Sequence, residues 1–231
     1  MPEAAHSAGR MNAGDRRRQL LDAALDLFSR KGFGGATTKE IAAAAGVTEA
    51  IIFRHFPSKQ ALYTAVLDSR TEDCSHDEWF AGIQGHMDRN DDAGVLRMLA
   101  AGILESYRTD ARFERILLFA ALEGHELGLA HYRRYAVPVF ELFRDYIARR
   151  QHEGALRDYN PGIVVAAIAG MAQNYAIYTE LFGFQSMRAD DTEVIEIFTN
   201  IMLRGIRQNK PQSKTASKAT IKVPLKARNR K

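Results

Sequence analysis

Apolar residues recur at the three- and four-residue spacing of an α-helix from about residue 15 to residue 208. In the first such segment, residues 15–31, Leu20, Ala24, Leu27 and Phe28 share one face. The two-residue alternation of a β-strand is almost absent, so we predict an all-α chain. Beyond residue 90, we predict helices at residues 93–109, 112–127, 129–152, 161–182 and 191–208. Pro138 is expected to kink or split the helix that contains it.

The composition is that of a globular protein, with 231 residues of which 46% are hydrophobic and 26% are charged. The single cysteine, Cys74, excludes an intrachain disulfide and a thiolate zinc cage. The longest apolar run, near residues 163–172, is shorter than the roughly 18 residues of a membrane span. Residues 1–14 do not have the pattern of a secretory signal. We therefore expect a cytoplasmic protein with no membrane partner.

The net charge of +4 is unevenly distributed along the chain. Residues 10–59 hold nine basic and five acidic residues, whereas residues 60–208 hold 15 basic and 22 acidic residues. Residues 209–231 hold eight basic residues and no acidic ones. A basic N-terminal part on an acidic body indicates a polyanion partner for that part.

Two short helices are predicted around the tetrapeptide Ala45-Gly46-Val47-Thr48. Thr37 or Thr38 caps the first helix, and Gly46 ends it. Thr48 caps the second helix, which runs to Phe56 and ends before a proline. These are the dimensions of a helix-turn-helix, whose second helix enters the major groove of DNA.

Several motifs within residues 16–67 occur together at fixed spacings: Ala-x-x-Leu-Phe, Gly-Phe, Thr-Thr, Ile-Ala-x-x-Ala-Gly-Val and His-Phe-Pro-Ser-Lys. In this combination the segment resembles the DNA-binding domain of the TetR/AcrR family of bacterial transcriptional regulators. The resemblance implies an N-terminal three-helix domain followed by a larger helical ligand-binding and dimerisation domain. We expect a flexible N-terminus at 1–14, a DNA-binding domain at 15–60, a regulatory domain at 61–208 and a disordered basic tail at 209–231. The tail either adds nonspecific DNA affinity or only aids solubility.

The resemblance also implies contacts with double-stranded DNA. Threonines at the start of the first short helix would bind phosphates, and the second short helix would face base edges. The expected DNA-contacting residues are Thr37, Thr38, Lys39, Thr48, Glu49, Ala50, Phe53, Arg54, His55 and Lys59. Two of them depart from the family, which often has Gly where Ala50 stands and Tyr where Phe53 stands. Ile51 is expected to contact thymine methyl groups, as a hypothesis from the apolar middle of this helix.

The regulatory domain is expected to form a homodimer through its last two helices and to bind a small apolar effector. Small residues within 163–178 allow close helix approach, and Val194, Ile197 and Ile201 share a stripe of the last helix. Candidate effector-binding residues combine aromatic and polar side chains. They are Trp79, Tyr107, Phe119, Glu123, His125, Asn174 and Tyr178. Effector binding would shift the separation of the two recognition helices. Repression is the expected sign, with activation as the alternative.

An enzyme and an architectural DNA-binding protein are the two alternatives from other classes of protein. Glu72 and His76 have the spacing of helical metal ligands, but the sequence has no phosphate-binding loop and no nucleophile elbow. We therefore predict no enzyme activity, no catalytic residues, no metal site and no cofactor. An architectural DNA-binding protein without an effector is the second alternative, but the long aromatic-rich domain exceeds what that role requires.

Overall fold

The computed structural model describes residues 12–72 and 76–208, with side chains of residues 70–76 outside that description. The helices in these ranges are α1 Ala13–Gly35, α2 Thr38–Ala44, α3 Glu49–His55, α4 Lys59–Glu72, α5 His76–Asp88, α6 Asp92–Glu123, α7 Glu126–His152, α8 Pro161–Ala176 and α9 Asp191–Ile206. No strand occurs in them, so the predicted all-α class is confirmed. Helix α5 was not predicted. The predicted basic tail, most of the predicted flexible N-terminus and the side chains of Glu72 and His76 lie outside the described residues.

The first four helices enclose one apolar core. Its fully buried side chains include Leu20 and Phe28 of α1, Ile41 of α2 and Ile52 of α3. Full burial of a side chain of this size contributes about 1.5–3 kcal/mol to the free energy of folding. The burial of these side chains stabilises the small N-terminal domain. The opposite faces of α2 and α3 are exposed to solvent.

Helix α6 joins this core to the rest of the chain through a kink at Asp110, where φ is −162° and ψ is 92°. The sequence predicted one helix on each side of this point, and the structure has a single kinked helix instead. Before the kink, Val95 and Leu99 pack with residues of α7, α8 and α9, which together with this half of α6 we call the C-terminal body. After it, Ile116 belongs to the apolar core of α1–α4. The second half of α6 therefore packs with the N-terminal helices, across the predicted domain border near residue 60.

The C-terminal body packs α6 against α7, α8 and α9. A buried polar cluster also ties α6 to α7: Asp92 accepts hydrogen bonds from the Tyr146 hydroxyl (2.6 Å) and from Nε of Arg150 (2.8 Å). The cluster orients these two helices, since each buried polar group has a partner.

Pro138 does not split the helix that contains it. Helix α7 continues from Glu126 to His152 with no non-helical residue. Proline removes the hydrogen bond to the carbonyl of residue 134, but Pro138 and Arg134 are both exposed. Water can therefore satisfy the free carbonyl oxygen, which removes most of the reason for a break.

Helix α8 continues as a π-helical turn over Ile177–Leu181, where the sequence predicted a regular helix to residue 182. The combined helix, Pro161–Leu181, has 21 residues and is long and apolar enough to cross a membrane. The expectation that no apolar segment reaches this length is thus corrected. Ile168 and Ala172 are fully buried against the neighbouring helices, as in the core helix of a folded domain.

Candidate nucleic-acid interface

The turn between α2 and α3 is fixed by hydrogen bonds that end α2. The Gly46 N–H donates to the carbonyl oxygen of Ala43 (3.1 Å), and the Val47 N–H donates to that of Ala42 (2.9 Å). This pairing requires a left-handed residue, and Gly46 has a φ of +64°. Glycine adopts this conformation without strain, and the turn sets the angle between the two helices.

The start of α2 is held by a reciprocal cap. The Thr37 hydroxyl accepts a hydrogen bond from the Glu40 N–H (3.2 Å), and the Glu40 carboxylate accepts one from the Thr37 N–H (3.0 Å). Lys31 Nζ lies 2.7 Å from the same carboxylate. The Lys31 contact, followed by those of Thr37, lowers the pKa of Glu40 from 4.5 to about 2. A phosphate contact from the Thr37 side chain would compete with this cap.

A second contact joins the two short helices directly. The Thr38 hydroxyl donates a hydrogen bond to the carboxylate of Glu49, at the first position of α3. Both residues were predicted to touch DNA, and the structure brings them together. The bond sets α3 against α2, and it partly occupies the one acidic side chain of α3, which would otherwise repel phosphates.

The other predicted residues of α2 and α3 mostly face outward. Lys39, Ala50, Phe53 and Arg54 are exposed, and Phe53 keeps 46% of its surface accessible. Thr48 is exposed at the N-cap of α3 and makes no capping hydrogen bond with its side chain. These side chains are therefore free to meet a DNA duplex.

His55 and the two central isoleucines of α3 lie closer to the protein. His55 is half-buried beside the Phe56 ring, at 6.3 Å between ring centroids. Ile52 is fully buried, and Ile51 is half-buried against the same core. The expected thymine contact by Ile51 stays a prediction, with only part of its side chain accessible. Ala50 and Phe53 are the exposed apolar groups of the helix.

Lys59 points into the protein in this structure. Its ammonium group donates a hydrogen bond to the carbonyl oxygen of Phe33 and lies 4.4 Å from the centroid of the Phe33 ring. Desolvation lowers the pKa of Lys59, against the opposing effect of Glu123. A phosphate contact from Lys59 requires that the ammonium leave this position.

The sequence interpretation missed Arg17, which lies beside the end of α3. Its guanidinium group is 4.9 Å from the centroid of the Phe56 ring, directly after α3. Nearby, Nε2 of Gln19 donates to the carbonyl oxygen of Ala45 in the turn (3.1 Å). The start of α1 therefore abuts the helix-turn-helix, and the run of three arginines at residues 16–18 was the available signal.

Three exposed cations lie on the first three helices, one on each: Arg17, Lys39 and Arg54, which we call the basic surface. None of the three forms an ion pair among the described residues, whereas Lys31 pairs with Glu40 and Arg30 pairs with Asp26. Unpaired exposed cations beside a major-groove-sized helix favour a nucleic-acid partner.

The seven candidate effector-binding residues lie in three different surroundings. Three lie in or beside the body: Tyr107 is buried, while Trp79 and Phe119 are half-buried. Asn174 is exposed on α8, and Tyr178 stacks on Phe184 in the π-helical turn region. The remaining two, Glu123 and His125, lie at the junction with the N-terminal domain. A shallow groove of about 380 Å³ lies elsewhere, between α1 and α4.

At that junction, His125 sits between two rings of the N-terminal domain. Its ring centroid is 4.1 Å from that of Phe33 and 4.8 Å from that of Tyr63. Desolvation lowers the pKa of His125, against the effect of Glu123. Glu123 occupies the space beside Gly32, where a side chain would collide with its carboxylate. These contacts place the two residues where the end of α6 and the start of α7 meet α1 and α4.

Metal chemistry has no support among residues 12–72 and 76–208. No group of three or more His, Cys, Asp or Glu side chains in them is arranged to hold a metal ion.

Comparisons with known proteins agree with this geometry. The family described as "Bacterial regulatory proteins, tetR family" matches residues 20–66. The HTH-type transcriptional regulator RutR of Escherichia coli strain K12 is 26% identical over 197 residues, which cover 83% of this chain and 91% of RutR. Such relatives are regulators and not enzymes.

Solved structures share the fold. SmeT, the repressor of the Stenotrophomonas maltophilia multidrug efflux pump SmeDEF, superposes with a TM-score of 0.55 at 18% identity over 84% of this chain and 91% of SmeT. A transcriptional regulator from Saccharomonospora viridis in complex with choline superposes with a TM-score of 0.62 at 18% identity over 85% of this chain and all of that one.

Proposed function

The chain is a DNA-binding transcriptional regulator of the TetR family, and from this premise we propose that it is a repressor released from a palindromic operator by a small apolar ligand. The observation that carries the proposal is the basic surface of Arg17, Lys39 and Arg54 beside the exposed face of α3. SmeT, which shares the fold, is a repressor. A bound repressor would block transcription in the cytoplasm, where the operator lies.

The exposed face of α3 would enter the major groove. Arg54 would donate to a guanine or to a phosphate, and Ala50 and Phe53 would contact thymine methyl groups. Thr48 would bind the phosphate backbone, with Lys39 and Arg17 on either side. Thr37, Thr38, Glu49 and Lys59 would support these contacts from within the domain, because their side chains already bind other protein groups.

A homodimer through α8 and α9 would match a palindromic operator. The outer face of α8 carries Ile163, which is 68% exposed, and the small residues Ala167 and Gly170. The outer face of α9 carries Ile197 and Ile201, which are also exposed. An apolar face with small residues supports close packing against a second copy.

Effector release would act through α6. Its first half packs in the body and its second half packs in the core of α1–α4. A ligand that prefers a different bend at Asp110 would therefore move α1 and, through it, the recognition helices. The Saccharomonospora viridis regulator, which shares the fold, holds a small molecule, choline. An activator and an effector-independent DNA-binding protein are the alternatives to this reading.

Footprinting on the DNA that flanks the coding sequence tests the proposal. We expect a protected palindrome with the wild type and with Arg30→Ala, whose arginine pairs with Asp26 away from the basic surface. Arg54→Ala should lose the protection. Equal and weak binding to all fragments at low salt would contradict a sequence-specific repressor. Addition of ligand to a protected operator then tests release, and protection that no ligand reduces would favour an effector-independent protein.

A further inference from the structure

The kink of α6 holds a carboxyl group that forms no ion pair with any residue the structure describes. Glu114, just after the kink, accepts a hydrogen bond from the hydroxyl of Ser106, just before it. Burial raises the pKa of Glu114, and the Ser106 hydrogen bond only partly opposes this. A carboxylate can accept about four hydrogen bonds, and the Ser106 hydroxyl supplies one of them.

Three arginines lie within six residues of Glu114 in the sequence, and each is bound elsewhere. Arg108 pairs with Glu180 (3.0 Å) and Asp191 (2.6 Å), Arg112 pairs with Asp110 (2.8 Å) and Asp22 (2.9 Å), and Nε of Arg115 donates to the carbonyl oxygen of Ser29 (3.1 Å). The cations next to Glu114 therefore stabilise other contacts of α6, and its charge has no internal counterion among the described residues.

A second polar group beside Glu114, the Tyr107 hydroxyl, has Gln173 of α8 as its one near polar neighbour besides Glu114 and Tyr132. The side chain of Tyr107 is 3% exposed, and its hydroxyl group makes no hydrogen bond. Gln173 of α8 approaches this hydroxyl without completing a hydrogen bond. Burial, together with the nearby Glu114, raises the pKa of Tyr107 to about 12, so the hydroxyl stays protonated. An unpaired buried hydroxyl is costly, and a ligand that pairs with it would remove that cost.

We propose that Glu114 and Tyr107 form the charge-recognising end of the effector site, and that the effector is a protonated amine on an apolar frame. The inference rests on the proposed ligand response. The ammonium group donates one hydrogen bond to the Glu114 carboxylate and one to the Tyr107 hydroxyl oxygen. Glu114 is only half-buried as a whole residue, which gives the amine a way in. Apolar side chains of the same region, Ile103 and Ala111, receive the frame.

The position of the site explains how such an amine would act. Ser106 and Glu114 lie on opposite sides of the kink, and a hydrogen bond joins their side chains across it. An amine that displaces the Ser106 hydroxyl from the Glu114 carboxylate breaks this hydrogen bond. The segment after the kink carries Ile116, which packs in the core of α1–α4. A changed bend is thereby passed to the helices of the basic surface.

Isothermal titration calorimetry of the full chain without DNA tests the site with three probes that share one frame: 4-phenylbutylamine, 4-phenylbutanol and 4-phenylbutyrate. We expect the amine to bind about tenfold tighter than the alcohol or more, since a charged hydrogen bond contributes at least that much. Glu114→Gln should abolish the preference. Glu105→Gln, an exposed position on the same helix, should retain it. Tyr107→Phe should weaken the amine and leave the alcohol unchanged.

Equal binding of amine and alcohol by the wild type, no binding of the amine, or a preference that survives Glu114→Gln would overturn the inference. The wild-type comparison decides the matter even if a variant fails to fold. Operator binding is measured separately, without any probe. If the wild type binds an operator but shows no amine preference, only this inference fails. If it binds no operator, the proposed function fails, whatever the calorimetry shows.

Discussion

Replacing Ile116 by alanine tests whether the second half of α6 belongs structurally to the DNA-binding domain. Ile116 is 1% exposed and lies in the same apolar core as Leu20 and Phe28, nearly a hundred residues earlier in the chain. The substitution removes three buried carbon atoms, each worth about 0.8 kcal/mol. The unfilled space adds a cavity penalty, so we expect a loss of about 3 kcal/mol in the free energy of unfolding.

Urea denaturation followed by circular dichroism measures this loss. Leu122→Ala is the matched control, because Leu122 is 84% exposed on the same half of α6. The control should change the free energy of unfolding by no more than about 0.5 kcal/mol. Ile116→Ala should also weaken DNA binding, since the core that it loosens carries α2 and α3. Equal effects of the two substitutions would refute the assignment of this segment to the N-terminal core.

Three further perturbations follow from local geometry. Gly46→Ala should lower the free energy of unfolding in urea by about 1–2 kcal/mol, because alanine is strained at a φ of +64°. An added Cβ meets no atom within 4 Å, so no steric clash adds to this loss. An unchanged free energy would mean that the turn relaxes. Because its pKa is lowered, Glu40 stabilises the fold above pH 4.5, and that contribution is lost as the pH falls towards 2. NMR titration of Lys31→Met should show the Glu40 pKa rising towards 4.5, and an unchanged pKa would contradict the assigned cause. Asp92→Ala leaves Arg150 without its buried partner and should cost about 3 kcal/mol; a loss below about 1 kcal/mol would show that water replaces the carboxylate.

Local sequence patterns predicted the helical class and the helix-turn-helix well, because both depend on signals within a few residues. The spacing of Leu20, Ala24 and Phe28 defines the buried face of α1, and Gly46 marks the one left-handed residue of the turn. The break near residue 110 was also visible. What local patterns could not show is that Ile116 packs against α1, since that contact joins distant parts of the chain.

The direction of individual side chains was harder to predict. Lys59 ends the His-Phe-Pro-Ser-Lys motif, and Glu49 is the first residue of α3. Each is nevertheless bound to a protein group that only the folded chain brings near. Arg17 was overlooked because its position beside Phe56 depends on how α1 crosses α3. The effector candidates were chosen by residue type and by their place within apolar helical stretches, and these signals do not separate Asn174 on the surface from Tyr107 in the interior.

The salt dependence of operator binding tests the central claim most directly. Fluorescence anisotropy on the footprinted duplex gives the slope of log affinity against log salt for the wild type, Arg17→Ala, Arg54→Ala and the control Arg30→Ala. Each phosphate contact contributes about 0.9 to that slope, so loss of one arginine from each protomer of a dimer should reduce it by about 1.8. We expect reduced slopes for Arg17→Ala, and for Arg54→Ala if it binds phosphate, with Arg30→Ala unchanged. Identical slopes and affinities for all four proteins would contradict DNA binding through the basic surface.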